Sequence, residues 1–98
     1  MRLGATQRDV LFILFVLETK GKHSPFPAVD LLALINKSRN TPIHGNNLRD
    51  GCHKMIDSGL ISKYRNPQSL QLAFTLSDQG RDVARLIYAD RVKDDLNG

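Results

Sequence analysis

The strongest hydrophobic feature of the chain is an unbroken run of eight apolar residues, Val10–Leu17. Thr6 is suited to cap a helix that carries this run, and Gly21 is suited to end it. Because the run leaves such a helix without a polar side over two turns, we expect the helix to be buried nearly all round. One side would meet the core of a small domain, and the other would meet a second copy of the chain.

Residues 22–37 predict a short extended segment followed by a second helix. Ser24 and Phe26 each precede a proline, and such residues are pushed towards extended conformations, which fits a short strand or an extended bridge over 22–26. Pro27 suits the first turn of a helix that continues to about Lys37. A broad apolar stripe supports this helix: Val29, Leu31, Leu32, Leu34 and Ile35.

Turn-forming residues cluster at 38–44, and a third helix is predicted over 46–58, ended by Gly59. Gly51 inside this helix costs about 1 kcal/mol relative to alanine, which we explain by close packing against another helix. The apolar residues of the helix fall on one face: Leu48, Cys52, Met55 and Ile56. Its polar residues fall outside that face.

Beyond the third helix the hydrophobic period changes from 3.6 to 2. Residues 60–65 predict one strand, Asn66–Ser69 a turn, and 70–76 a second strand in which apolar and polar residues alternate. Together these segments predict a β-hairpin. Ser77 is suited to cap a last helix, whose end we expect to fray over 94–98.

Two helices joined by a turn and followed by a hairpin make a winged helix-turn-helix. Met55–Lys63 resembles the end of a recognition helix followed by the Gly-Leu-Ile start of a wing. Phe74–Arg81 resembles the wing-exit signature, Leu-Thr/Ser-x-x-Gly, of the MarR and PadR families of bacterial regulators. The resemblance covers roughly residues 28–88. The chain departs from these families in its longer turn over 37–45 and in lacking the Asp-x-Arg wing tip of MarR proteins.

The resemblance implies an α+β, mainly helical, winged helix-turn-helix fold with a C-terminal helix. It also implies a small, sequence-specific transcriptional regulator that works as a homodimer. The first and last helices are the expected dimer surfaces, represented by Leu11, Phe12, Phe15, Leu86 and Ile87.

Composition narrows the class of protein. With 98 residues, of which 41% are hydrophobic and 24% charged, we expect one globular domain over 1–98. The only cysteine, Cys52, excludes an intrachain disulfide and a four-cysteine zinc site and favours the reducing cytoplasm. The apolar run is far shorter than the roughly 20 residues of a membrane span, and its flanks do not fit a signal peptide. No catalytic or zinc-binding pattern is present, so we expect neither an enzyme nor a cofactor or metal.

The positive charge is concentrated in the middle third of the chain. The net charge is +4, and residues 37–71 hold six basic residues against two acidic ones. On the third helix, Asn46 and Asn47 could pair with adenine, and Arg49 with guanine, in the major groove of duplex DNA. His53 could donate or accept a hydrogen bond to the DNA further along the helix, and Lys54 is suited to contact a phosphate.

The hairpin would reach an adjacent minor groove or the DNA backbone through Lys63, Arg65, Gln68 and Gln71. Three residues near the turn are expected to contact the backbone: Lys37, Arg39 and Thr41.

Other interpretations of the same residues stay open. The polar helix face could be merely solvated, and Lys63 and Arg65 could serve only to protect an edge strand from aggregation. Asp50 would repel phosphate unless it accepts from cytosine or pairs with Lys54. The domain could also be a winged-helix module that binds an acidic protein, or a DNA-binding accessory factor of a mobile element.

Overall fold

The computed structural model describes residues 2–97, with side chains as far as Lys93. These residues form four helices and one three-stranded antiparallel sheet with β3 in the centre. The elements in chain order are α1 (Ala5–Thr19), β1 (Phe26–Pro27), α2 (Ala28–Lys37), α3 (Gly45–Asp57), β2 (Ile61–Arg65), β3 (Leu72–Leu76) and α4 (Asp78–Asn97). The expected mainly helical α+β fold is confirmed.

The start of α1 differs from the expectation that Thr6 caps it. The cap residue is Gly4, whose N–H donates to Gln7 Oε1 at 2.8 Å, and Thr6 lies inside the first turn. The Gln7 side chain, at the third helical position, thus satisfies the backbone N–H of the cap residue itself, as the reaching-back half of a capping box does. The end is as expected, since Gly21 follows α1 in the left-handed region with φ 78°.

The apolar run of α1 is covered from within the same chain. Val10, Leu11 and Leu14 are fully buried, and the other residues of the run are half-buried. Phe12 and Phe15 lie beside Tyr88 of α4, with ring centroids 5.9 and 5.3 Å away. The side of α1 that was assigned to a second copy is therefore largely occupied by α4.

The packing of α1 on α4 shows that part of the expected dimer surface is wrong. Leu11 is fully buried and Ile87 is 6% exposed, so both belong to the core of the single chain. Phe12 and Phe15 keep only partial exposure, whereas Leu86 is 68% exposed. Of the five residues expected at a dimer contact, these three remain accessible.

The two motifs that carry the family resemblance meet at the base of the hairpin. Ser77 N donates to the Leu60 carbonyl at 3.0 Å, and the Ser77 hydroxyl donates to the Gly59 carbonyl at 2.6 Å. Ser77 Oγ also accepts from Gly80 N at 3.0 Å, so the predicted cap of α4 is confirmed. Gly80 lies so close to Leu60 that a Cβ there would overlap the Leu60 carbonyl oxygen. The hairpin and α4 are thereby fixed to the end of α3.

The boundaries of the first and last strands differ from the sequence-based expectation. The first strand comprises Phe26 and Pro27 rather than 22–26, because Phe26 pairs with Phe74 of β3. The last strand begins at Leu72 rather than 70, after a residue with positive φ. Helix α4 extends to Asn97; the fraying expected over 94–98 stays a prediction, and Gly98 lies outside the described residues.

The core is shared by all four helices and the sheet. Its largest fully buried side chains include Phe74, Leu11, Leu31 and Met55. Cys52 is also fully buried, and burial raises the pKa of its thiol to about 12. None of the helices in the described residues combines the length and apolar character that crossing a membrane requires.

Candidate nucleic-acid interface

Helix α3 has one buried face and one exposed face. Leu48, Cys52 and Met55 anchor it in the core, and Gly51 lies against the start of α1. The five predicted DNA-contacting residues of this helix are all exposed: Asn46, Asn47, Arg49, His53 and Lys54. The division follows from the 3.6-residue period of the apolar positions, and it leaves every predicted polar contact free to meet a partner.

The exposed face of α3 divides into two sides. Arg49 and His53 line a cleft between α3, the start of α2 and the hairpin. Asn47, Asp50 and Lys54 line a second depression beside residues 4–7 at the start of α1. We call the first of these the wing–α3 cleft; its lining residues are Ala28, Val29, Arg49, His53, Arg65, Leu70, Gln71 and Leu72.

The hairpin, or wing, carries its two basic residues on one face of the sheet. Lys63 is paired with Phe74 and Arg65 with Leu72, so both lie on the sheet face of the buried Phe74. Tyr64 is paired with Ala73 and lies on the opposite face. Arg65 and Gln71 line the wing–α3 cleft. Four predicted contacts from two separate elements are thus brought together, and Lys63 lies on the same face of the sheet.

None of the three residues predicted near the turn lines the wing–α3 cleft. The Arg39 guanidinium donates to Asp9 Oδ2 at 2.7 Å, and Arg91 donates to the other oxygen of Asp9 at 2.8 Å. The charge of Arg39 is thus already engaged within the chain. Lys37 lines a different depression, on the side of α2 that faces the end of α1. Thr41 is exposed, and its carbonyl accepts from Arg39 Nε at 3.3 Å.

Comparison with known proteins adds to this geometry. No protein-family model matches the sequence, and no curated protein matches it. Solved structures do match. The adhesin competence repressor AdcR from Streptococcus pyogenes aligns with a TM-score of 0.72 and 14% identity, over 98% of this chain and 62% of AdcR. MepR, a transcription regulator of the Staphylococcus aureus multidrug efflux pump MepA, aligns with a TM-score of 0.69 and 14% identity, over 96% of this chain and 63% of MepR.

The structure of SSV1 F-93 aligns with a TM-score of 0.70 and 12% identity, over 100% of this chain and 98% of F-93. This chain has a winged helix-turn-helix fold. The fold that the resemblance to MarR and PadR regulators implied is therefore confirmed. The winged-helix chain spans about three fifths of the length of AdcR and MepR, and nearly all of F-93.

The sequence reasoning missed the residue that holds the turn of this winged helix in place. Asn36, at the end of α2, donates from Nδ2 to the Ile43 carbonyl at 3.2 Å and accepts from Ile43 N at 2.9 Å. Ile43 is buried, so the turn is fixed both by this amide and by the core. The sequence does show an asparagine followed by a run of turn residues, which can signal such a contact. It does not show that the partner is Ile43, seven residues later.

Asp50 lies on the exposed face of α3. It lies one helical turn from Lys54, yet among the described residues the two form no ion pair. The charge on this side of α3 is therefore mixed, whereas the wing–α3 cleft contains basic residues without acidic ones. Within the described residues, no three His, Cys, Asp or Glu side chains are grouped as a metal site would need.

Proposed function

We propose that this protein is a small transcriptional regulator that binds double-stranded DNA with sequence preference. Helix α3 enters the major groove, and the wing contacts the backbone or the minor groove beside it. The observation that supports this most strongly is the wing–α3 cleft, where Arg49 and His53 meet Arg65 and Gln71 across two elements. AdcR and MepR, which share the fold, are a repressor and a transcription regulator.

The geometry suits a DNA strand that runs between α3 and the wing. The major groove of B-DNA admits one α-helix, and the neighbouring minor groove lies on the other side of a phosphate backbone. Arg49 would pair with guanine, while Arg65 and Lys63 would approach the backbone from the wing. The polar side chains involved are all exposed and can reach a phosphate or a base edge, although Arg65 also donates to the Leu70 carbonyl.

The proposal includes a homodimer in the reducing cytoplasm. Among the α4 side chains that the structure describes, which end at Lys93, Leu86 is the most exposed large apolar one, and α4 lies along α1, the other expected dimer helix. A two-fold dimer would place two α3 helices in major grooves about one helical turn apart and would read a pseudo-palindromic site.

Selection of bound sequences from a random duplex pool tests the proposal. We expect an enriched, pseudo-palindromic site, and a steep fall of affinity with salt because phosphate contacts release counterions. For about six contacts the fall is roughly a thousandfold between about 50 and 200 mM salt. A pool that stays random after repeated selection, or an affinity that is flat in salt, would contradict the proposal.

Arg49→Ala tests the assignment of α3 to the major groove. We expect this variant to bind the selected site about 1–3 kcal/mol more weakly and to lose one base preference. Arg85→Ala removes the same charge from α4, where Arg85 pairs with Asp82 on an exposed face, and should leave the base preferences unchanged. If Arg49→Ala selects the wild-type site with wild-type affinity, another element reads the bases.

The exposed carboxylate of Asp50 on α3 favours the alternative function, in which the domain binds a protein partner. An exposed carboxylate on the face of α3 opposes phosphate but could pair with a basic group of a protein. Retention on random duplex DNA separates the two functions. A DNA-binding regulator is retained and eluted by salt, whereas a module specific for protein passes through.

A further inference from the structure

The tip of the wing is held rigidly by Asn66. Its backbone carbonyl accepts from Leu70 N at 2.8 Å, and its N–H donates to the Gln71 carbonyl at 2.9 Å. Its side-chain Oδ1 also accepts from Gln68 N and Ser69 N, at 2.9 and 3.1 Å. An asparagine side chain that binds two backbone N–H groups makes a compact turn. The residues of the tip therefore keep a defined orientation.

Leu70 is the residue of this tip that stability alone does not explain. Its φ is 62°, in the left-handed region, where a side chain with a Cβ costs about 1–2 kcal/mol that glycine avoids. Its side chain is 63% exposed, so little burial offsets this cost. Glycine or asparagine would suit the backbone better. A leucine at this position is better explained by contact with a partner than by the packing of the single chain.

The surroundings of Leu70 indicate the charge of that partner. Arg65 Nη1 donates to the Leu70 carbonyl at 2.8 Å, which ties a guanidinium to the tip. The segment 58–77, which contains the whole wing, has two basic residues and no acidic ones. Leu70 also lines the wing–α3 cleft with Arg49 and His53. An apolar tip within a cationic surface suits a polyanion that has an apolar interior, which is the character of a DNA groove.

We infer that Leu70 is a DNA-contacting residue that enters the minor groove beside the major groove occupied by α3. This inference rests on the proposed function and adds a specificity-determining residue to it. Apolar side chains such as leucine press against sugars and base edges in the minor groove and can partly separate a base step. The guanine 2-amino group projects into that groove and obstructs such contact, so Leu70 confers a preference for A·T pairs at the flank of the site.

The test compares Leu70→Gly with wild-type protein on the selected duplex. Glycine adopts the φ of position 70 without strain, so this variant should fold, as circular dichroism and its melting temperature will show. We expect its affinity to fall about tenfold with an unchanged salt slope, because no phosphate contact is lost. Leu70→Met, which keeps an apolar side chain, should restore most of the affinity. Tyr64→Ala removes a half-exposed ring from the other face of the wing and should bind like wild-type protein.

A base substitution supplies a readout that a purely structural role would not change. In a duplex with a G·C pair at the flank, replacing guanine by inosine removes the 2-amino group and leaves the major groove unchanged. Wild-type protein should gain affinity from this replacement, and Leu70→Gly should not.

The outcomes separate this inference from the proposed function. If wild-type protein prefers no duplex sequence, the proposed function fails and the inference fails with it. If wild-type protein selects a site but Leu70→Gly keeps both the affinity and the gain from inosine, only the inference is overturned. Equal losses in Leu70→Gly and Tyr64→Ala would also overturn it, because they would reflect a general disturbance of the wing.

Discussion

At the scale of single residues, two glycines in helices have opposite surroundings. Gly80, in the first turn of α4, lies against the backbone of Leu60, and a Cβ there would overlap the Leu60 carbonyl oxygen and lie 2.7 Å from its carbon. A Cβ on Gly51 of α3 would lie 3.4 Å from Gln7 Cγ and 3.8 Å from Thr6 Cγ2, which are ordinary contacts. The helices do pack closely at Gly51, as expected, but a methyl group fits between them.

Substitution by alanine should therefore change stability in opposite directions. Gly80→Ala should lower the free energy of unfolding by about 3 kcal/mol, because a rigid backbone must move. Gly51→Ala should raise it by up to about 1 kcal/mol, since alanine favours the helix and meets no obstruction. Urea denaturation of the two variants and the wild-type protein measures both changes. A Gly80→Ala variant as stable as wild type would contradict the described packing of α4 on the wing base.

At the scale of elements, charged side chains join α1 to α4 at two places. Near the end of α1, Arg81 donates from Nε and Nη2 to the two oxygens of Glu18, each at 3.0 Å. The hydrogen bond to Glu18 raises the pKa of the Arg81 side chain further above its ordinary value. Near the start of α1, Asp9 accepts from both Arg91 and Arg39. These bonds fix α4 and the turn before α3 to one central helix.

Glu18→Gln should lower the free energy of unfolding by about 1–2 kcal/mol, because it removes a charge-assisted, bidentate pair that is partly buried. The exposed pair of Asp82 with Arg85 provides the control: Asp82→Asn should change stability by less than about 0.5 kcal/mol. Thermal or urea denaturation measures the difference. Equal effects of the two substitutions would show that the Glu18 pair contributes no more than a surface pair.

The elements themselves could be predicted because their signals are local. The apolar face of α3 and the alternation of β3 are repeated patterns within a few residues, and the helix and the strand form where these patterns predict them. The partners of individual polar side chains could not be predicted in this way. Arg39 pairs with Asp9, 30 residues earlier in the chain, and nothing near Arg39 signals that contact. The cleft depends on the approach of the wing to α3, which is set by the contacts of Gly59 and Leu60 with Ser77.

At the scale of the whole molecule, charge and shape are distributed unevenly. The wing and its cleft are basic, while the last 27 residues carry five acidic residues against four basic ones. The molecule measures 46 × 30 × 28 Å, and its longest helix, α4, has 20 residues, which extend about 30 Å. The proposed dimer contact lies on α4, which leaves the basic surfaces of both copies free for DNA.

Methylation interference on the selected duplex tests the central claim most directly. Dimethyl sulfate modifies guanine N7 in the major groove, the atom that Arg49 would contact. We predict that methylated guanines block binding in two symmetric groups about one helical turn apart, and that Arg49→Ala no longer distinguishes the methylated guanine at its position. The contrary result is a site with guanine in both half-sites that is still bound when any of these guanines is methylated at N7. It would contradict the placement of α3 in the major groove.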